Sequence, residues 1–183
     1  MDEHRSADEL TAALDEIRQS PSARGTVELI VRRPAENERE VIDEATLDIE
    51  QGLVGDAWMA RGSSRTPDRS PNLDAQLTLM NARAAQAIAG SKERRSLAGD
   101  QLYVDLDLSI ENLPAGTRLE VGDAVIEVTP EPHTGCAKFS ARFGTDALKF
   151  VKTSPGRELR LRGVNTRVVT PGTVRAGDPI SKF

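Results

Sequence analysis

The residue best suited to chemistry in this chain is Cys136, its only cysteine. It lies in Pro132-His133-Thr134-Gly135-Cys136-Ala137-Lys138-Phe139. A lone thiol cannot form an intrachain disulfide, and one Cys with two His cannot make an ordinary zinc site. Cys136 is therefore either a small buried hydrophobe or an active thiol. Its neighbours suit the active thiol. His133 and Lys138 would hold positive charge near the sulfur, which lowers a thiol pKa and raises the thiolate fraction. Gly135 removes side-chain bulk on one flank.

A second group of residues lies between Ala60 and Asp74. Gly62, Ser63, Ser64, Pro67, Ser70 and Pro71 make this stretch neither helix nor strand. Long loops of this kind often carry function. Arg61, Arg65 and Arg69 could form a fork for a phosphate or carboxylate. Asp68 and Asp74 partly offset that charge, so a solvated loop stands beside the functional reading. Trp58, which leads into the loop, is expected near a pocket.

The elements that must hold these residues are mostly short strands. Ser6-Ala7-Asp8-Glu9 is a capping-box pattern, and Leu10, Leu14 and Ile17 follow at helical spacing. This predicts a helix from Ala7 to Gln19, stopped before Pro21. From Gly25 the texture turns β-like. Strands are predicted over Thr26 to Arg33, Glu40 to Asp48, Ala75 to Met80 and Leu102 to Leu108. Asn81 reads as the N-cap of an Ala-rich helix ending at Gly90. Arg118 to Val121 and Ala124 to Thr129 read as a hairpin around Gly122-Asp123. Val164 to Thr170 and Thr173 to Ile180 read as a second hairpin, turning at Pro171-Gly172. Phe139 and Phe143 lie at i, i+4 in a helical insert. Thr145 would cap a second helix through Lys152, with Leu148 and Val151 facing in. The segment from Gly116 to Asp123 resembles that from Gly172 to Asp178. Gly-Asp also occurs at Gly55-Asp56 and Gly99-Asp100, and three of the four pairs are read as turn dipeptides. Many short strands with such turns predict a mainly β protein. The expected fold is a closed or nearly closed β-barrel with a few short α-helices and an N-terminal helix. Residues 1–24 would form a helical extension, and 25–183 the barrel.

Composition limits the function classes. The chain has 183 residues, 38% of them hydrophobic and 29% charged, which suits one soluble globular domain. Aromatic content is 3%, so Val, Leu, Ile and Ala must build the core. A formal charge of −5 argues against a general nucleic-acid or membrane-surface binder. No apolar run approaches transmembrane length. The acidic, polar start Met1-Asp2-Glu3-His4 has no secretory signal, so a reducing cytoplasm is expected.

Several motifs in order resemble a known family. They are Gly52-Leu53-Val54-Gly55-Asp56, Gln76 to Asn81, Ala98 to Leu102, Leu113 to Leu119 and Gly122 to Val128. His133 to Phe139, Gly156-Arg157 and the closing Val168 to Asp178 complete the series. From Thr26 onward the chain resembles the MOSC domain, also found at the C-terminus of molybdenum-cofactor sulfurases. The resemblance implies a β-barrel with short helices. Cys136 stands at the family's cysteine position, where it would carry sulfur as a persulfide or ligate molybdenum as a soft thiolate donor. His133 and Lys138 would stabilise the thiolate. Arg61, Arg65 and Arg157 would hold the anionic phosphate of the pterin, and Asp56 would fix a turn at the pocket mouth.

The implied cofactor is molybdenum cofactor (molybdopterin). No zinc, no iron–sulfur cluster of its own and no pyridoxal phosphate of its own are expected; pyridoxal phosphate would enter only through a partner. The implied partners are a small-molecule ligand and either a cysteine desulfurase or a separate redox partner, with no nucleic acid and no membrane. The chain departs from relatives in having Thr134-Gly135, where Pro is common before the Cys. It lacks the N-terminal barrel, ferredoxin-like and desulfurase domains of larger members. Two other functions compete with a sulfur carrier or cofactor binder. One is a thiol-dependent detoxifying enzyme acting on N-hydroxylated or electrophilic molecules without molybdenum. The other is a non-catalytic small-molecule binding module whose Cys136 is structural.

Overall fold

In the computed structural model, which describes residues 4–183, seven strands close into a barrel. These are β1 (Arg24–Arg32), β5 (Leu77–Asn81), β6 (Leu102–Asp105), β7 (Arg118–Val121), β8 (Ala124–Val128), β9 (Val164–Thr170) and β11 (Pro179–Lys182). The sheet runs β11-β7-β8-β9-β5-β6-β1, and β1 pairs back onto β11 to close the ring. Closure leaves the ring without a free edge. β2 (Glu40–Ile42) extends β1, while β3 (Glu44–Asp48), β4 (Gly52–Leu53) and β10 (Gly172–Arg175) make a small separate sheet. All ring pairs are antiparallel except β5 with β6. That parallel pair needs a crossover. α4 (Ala82–Ala89) supplies it, capped by the Asn81 side chain and stopped at Gly90, which is left-handed.

Alternation along the strands divides the interior in two. Leu77, Leu79, Leu102, Val104 and Ile30 fill the barrel, with Leu119, Val121, Ile126 and Ile180 from the other side. Their neighbours Met80, Tyr103 and Val31 face outward into a second core. That core is roofed by α4, α5 (Ala137–Lys152) and the N-terminal helices α1 (Ala7–Ala12) and α2 (Leu14–Arg18). β5 is buried along its whole length for this reason. The capping box at Ser6 and Glu9 is present. Leu10 and Ile17 are both buried in the helical layer. Met1, Asp2 and Glu3, read as part of an acidic start, lie outside the described residues.

Three predicted elements need correction. The helix expected from Ala7 to Gln19 is two helices broken at Ala13. The strand expected from Glu40 to Asp48 breaks at Asp43, and its halves join different sheets. The second hairpin does not exist. β9 pairs with β8 and β5, β10 pairs with β3, and β11 pairs with β7 and β1. The turn at Pro171-Gly172 instead moves the chain from the barrel to the small sheet. α5 contains Gly144 at φ 91°, so the two helical halves expected around Thr145 are real and joined by a kink.

Candidate functional site

The segment Glu131 to Thr134 forms a wall between two clefts. One cleft, of about 520 Å³, is lined by Arg33, Arg61, Arg65, Arg69 and Arg162. The other, of about 580 Å³, lies against α5 and α6 (Ser154–Glu158). The wall is tied down from β9, where the buried Asn165 donates its amide to the Glu131 carbonyl at 3.0 Å.

The arginine cleft is built on two buried ion pairs. Arg33, at the end of β1, grips both carboxylate oxygens of Asp56 at 2.8 Å. Asp56 also accepts from the backbone N–H groups of Arg33 and Trp58, the second of which starts α3 (Trp58–Arg61). Asp56 is thus occupied and 1% exposed, and it fixes the turn rather than facing a ligand. Arg162 donates to Asp100 at 2.6 Å and to the Ala98 carbonyl at 3.0 Å. Arg33 donates to the Gly99 carbonyl at 3.0 Å. Both guanidiniums therefore sit at the end of the short 95–98 turn and satisfy carbonyls that the turn itself leaves without a partner. Arg65 pairs with Glu131, the one carboxylate among the cleft's lining residues.

Arg61 and Arg69 have no ion-pair partner among the described residues. Burial, with Arg33 nearby, pushes the Arg61 guanidinium below its ordinary pKa. An unpaired cation held this way favours an arriving anion. Arg69 is left-handed at φ 63°. Its carbonyl packs where a Cβ on Gly62 would meet it at 2.2 Å, which closes the loop around the cleft.

Behind the wall several polar atoms are buried without a hydrogen-bond partner: Asp100 Oδ1, His133 Nδ1, Arg162 Nε and Gln101 Nε2. His133 Nδ1 stands 3.6 Å from Asp100 Oδ1, too far for a hydrogen bond. Burial first, then Arg162, pushes the His133 imidazole down to about 3, against the pull of Asp100. Burial also raises the Tyr103 phenol, reinforced by Asp100.

These facts revise the setting of Cys136. The thiol is exposed at the N-cap of α5 and lines neither cleft. His133 is neutral at pH 7 and cannot supply the expected charge. Lys138 points to Glu36, 2.6 Å away. Gly135 serves packing, because a Cβ there would meet Leu148 at 2.8 Å and Val151 at 3.3 Å. Arg61 and Arg65 share one cleft as expected, but Arg157 lines the other. Trp58 is buried and lines neither cleft, but it opens α3, whose last residue Arg61 lines the arginine cleft. The sequence reading missed Arg33, Asp100 and Arg162 as site residues. Asp100 was hidden in a turn dipeptide, and two arginines do not stand out among 24 cationic residues. Among the described residues no group of three or more His, Cys, Asp or Glu could hold a metal ion, and no helix is long and apolar enough to cross a membrane.

Comparison with known proteins gives the same fold. The chain matches the family described as MOSC domain over residues 56–181. The solved structure of YuaD from Bacillus subtilis is similar at 17% identity and TM-score 0.63, over 86% of this chain and 94% of that one. YiiM from Escherichia coli is similar at 21% identity and TM-score 0.56, over 86% and 69%. YiiM from Geobacillus stearothermophilus is similar at 13% identity and TM-score 0.53, over 88% and 73%. No curated protein matches the chain.

Proposed function

This chain belongs to the MOSC domain family, and from that premise we propose that it binds molybdenum cofactor and carries sulfur on Cys136. The observation that supports this most is the arginine cleft. Five guanidiniums line it; Asp56, Asp100 and Glu131 pair three of them, and Arg61 and Arg69 lack an ion-pair partner among the described residues. Such a site suits a phosphate monoester, which accepts bidentate hydrogen bonds from planar guanidiniums. Arg61 and Arg69 would hold the phosphate. Arg33 and Arg162, fixed by Asp56 and Asp100, would shape the floor. When bound, the cofactor would supply oxygen- or sulfur-atom transfer and redox chemistry at molybdenum.

The exposure of Cys136 favours a carrier over a metal ligand held inside a cleft. A carrier thiol must reach a second protein. Its thiolate would attack the outer sulfur of a donor persulfide, and the donor thiolate would leave. The exchange is redox neutral and needs no bound metal. A cysteine desulfurase is the partner of the right chemistry, and the cytoplasm the right compartment. The same exposure weighs against a thiol that attacks a small molecule held in either cleft.

The test is to purify the chain from a host that makes the cofactor and measure molybdenum and organic phosphate together. Arg61→Ala with Arg69→Ala should lower both several-fold. Cys136→Ser should leave phosphate retention intact while removing persulfide loading by mass spectrometry. Wild-type protein that carries neither molybdenum nor phosphate would sink the cofactor reading.

A further inference from the structure

The second cleft differs from the first in chemistry. Ile110, Pro130, Val151 and Val164 give it apolar walls. Lys152 and Arg157 are exposed and therefore lie at its rim. Neither has an ion-pair carboxylate among the described residues. Glu131 lines this cleft too, but is engaged by Arg65 across the wall. Arg160 is committed to the Leu113 and Leu108 carbonyls, at 2.6 and 3.4 Å. His133 and Arg162 form part of the inner wall, but their unpartnered Nδ1 and Nε atoms are buried behind it and do not face this cleft. The Arg162 side chain is 10% exposed.

We propose that this cleft binds a small organic carboxylate with an apolar body. Lys152 and Arg157 hold the carboxylate at the rim. The body lies between Ile110, Val151 and Val164. A cavity of about 580 Å³ suits a small organic molecule, and a few polar groups in apolar walls are what fix such ligands in place. Inorganic phosphate gains nothing from apolar walls, so the two clefts select different anions. Arg157 thus belongs to this site and not to a phosphate grip. The inference does not require the arginine cleft to be occupied.

The test uses naphthoate as probe and its neutral amide as comparison, on the protein free of cofactor. Methyl resonances of Ile110, Val151 and Val164 should shift and saturate. Lys152→Ala with Arg157→Ala should weaken naphthoate roughly three- to tenfold, the scale of exposed ion pairs. Naphthamide should bind wild type more weakly by a similar factor. Inorganic phosphate should not displace the probe. Arg118→Ala, at a distant exposed pair, should change nothing, and unchanged core resonances would show that each variant is folded. The proposal is overturned if naphthoate fails to saturate, if its shifts fall on the Arg61 to Arg69 loop, or if the amide binds as tightly. Loss of phosphate retention at the arginine cleft would count against the cofactor reading alone.

Discussion

His133 shows how far a fold can change the charge state that a sequence implies. Placed three residues before a thiol, an imidazole reads as a source of positive charge. The wall buries it beside Arg162 and Arg33, and its pKa falls from 6.5 to about 3. Spacing could not reveal this, because Arg162 and Asp100 arrive from β9's approach and from the 95–98 turn, far away in sequence. The consequence is measurable. The folded pKa lies below the unfolded one, so the unfolded chain binds more protons between those values. Stability from neutral His133 is complete above the unfolded pKa and is lost as pH falls toward the folded one. The slope approaches about 1.4 kcal/mol per pH unit inside that window. His133→Gln removes the titration while keeping a polar side chain. Urea unfolding at about pH 7.5 and about pH 5 should show a larger drop for wild type than for the variant. Equal drops would mean that His133 is hydrated and titrates normally.

Local devices at the scale of elements were legible, and partner choice was not. The capping box at Ser6, the Asn81 cap and the Gly122-Asp123 hairpin each depend on residues close in sequence, and all three are present. Pro171-Gly172 has the composition of a hairpin turn as well. There the flanking strands find better partners elsewhere, since β11 must close the barrel against β1. Composition cannot encode that long-range constraint. The Gly55-Asp56 turn shows the same mixture. Its shape was legible, but its partner Arg33 lies 23 residues upstream. Asp56 joins the end of β1 to the start of α3 and so holds the entry to the arginine loop. Asp56→Ala would leave Arg33, whose side chain is 12% exposed, without its counter-ion. Removing one member of a buried pair costs about 3–5 kcal/mol. Asp56→Asn should cost less, because it keeps one acceptor for the guanidinium and the backbone. Chemical denaturation of the two variants checks the order. A loss below about 1 kcal/mol for the alanine variant would show that Arg33 simply swings into water.

The molecule as a whole is a barrel and a helical layer that share strands. β5 and β6 present Leu79 and Leu102 to one core and Met80 and Tyr103 to the other. The barrel was legible from alternating strands and Gly-Asp turns. The helices were legible too, but not the second core they roof, because its inner face is made of strand residues whose outward side reads as ordinary alternation. The N-terminal helix looks like an appendage in sequence, yet Leu10 is 0% exposed in the layer with Ile88, Phe143 and Tyr103. Shared strands should make the two cores unfold together. Leu10→Ala would open a cavity roofed by α1 and α5, and large-to-small changes of this kind cost about 2–5 kcal/mol. The loss should appear in the whole molecule, because an opened helical layer exposes the outer face of β5 and β6. Far-ultraviolet circular dichroism follows the helices, and fluorescence of the buried Trp58 follows the loop side of the barrel. In wild type and in the variant the two signals should change at one urea concentration, shifted lower in the variant. If the helical signal is lost first while Trp58 stays buried, the N-terminal helices are a separable extension and the two cores are energetically independent.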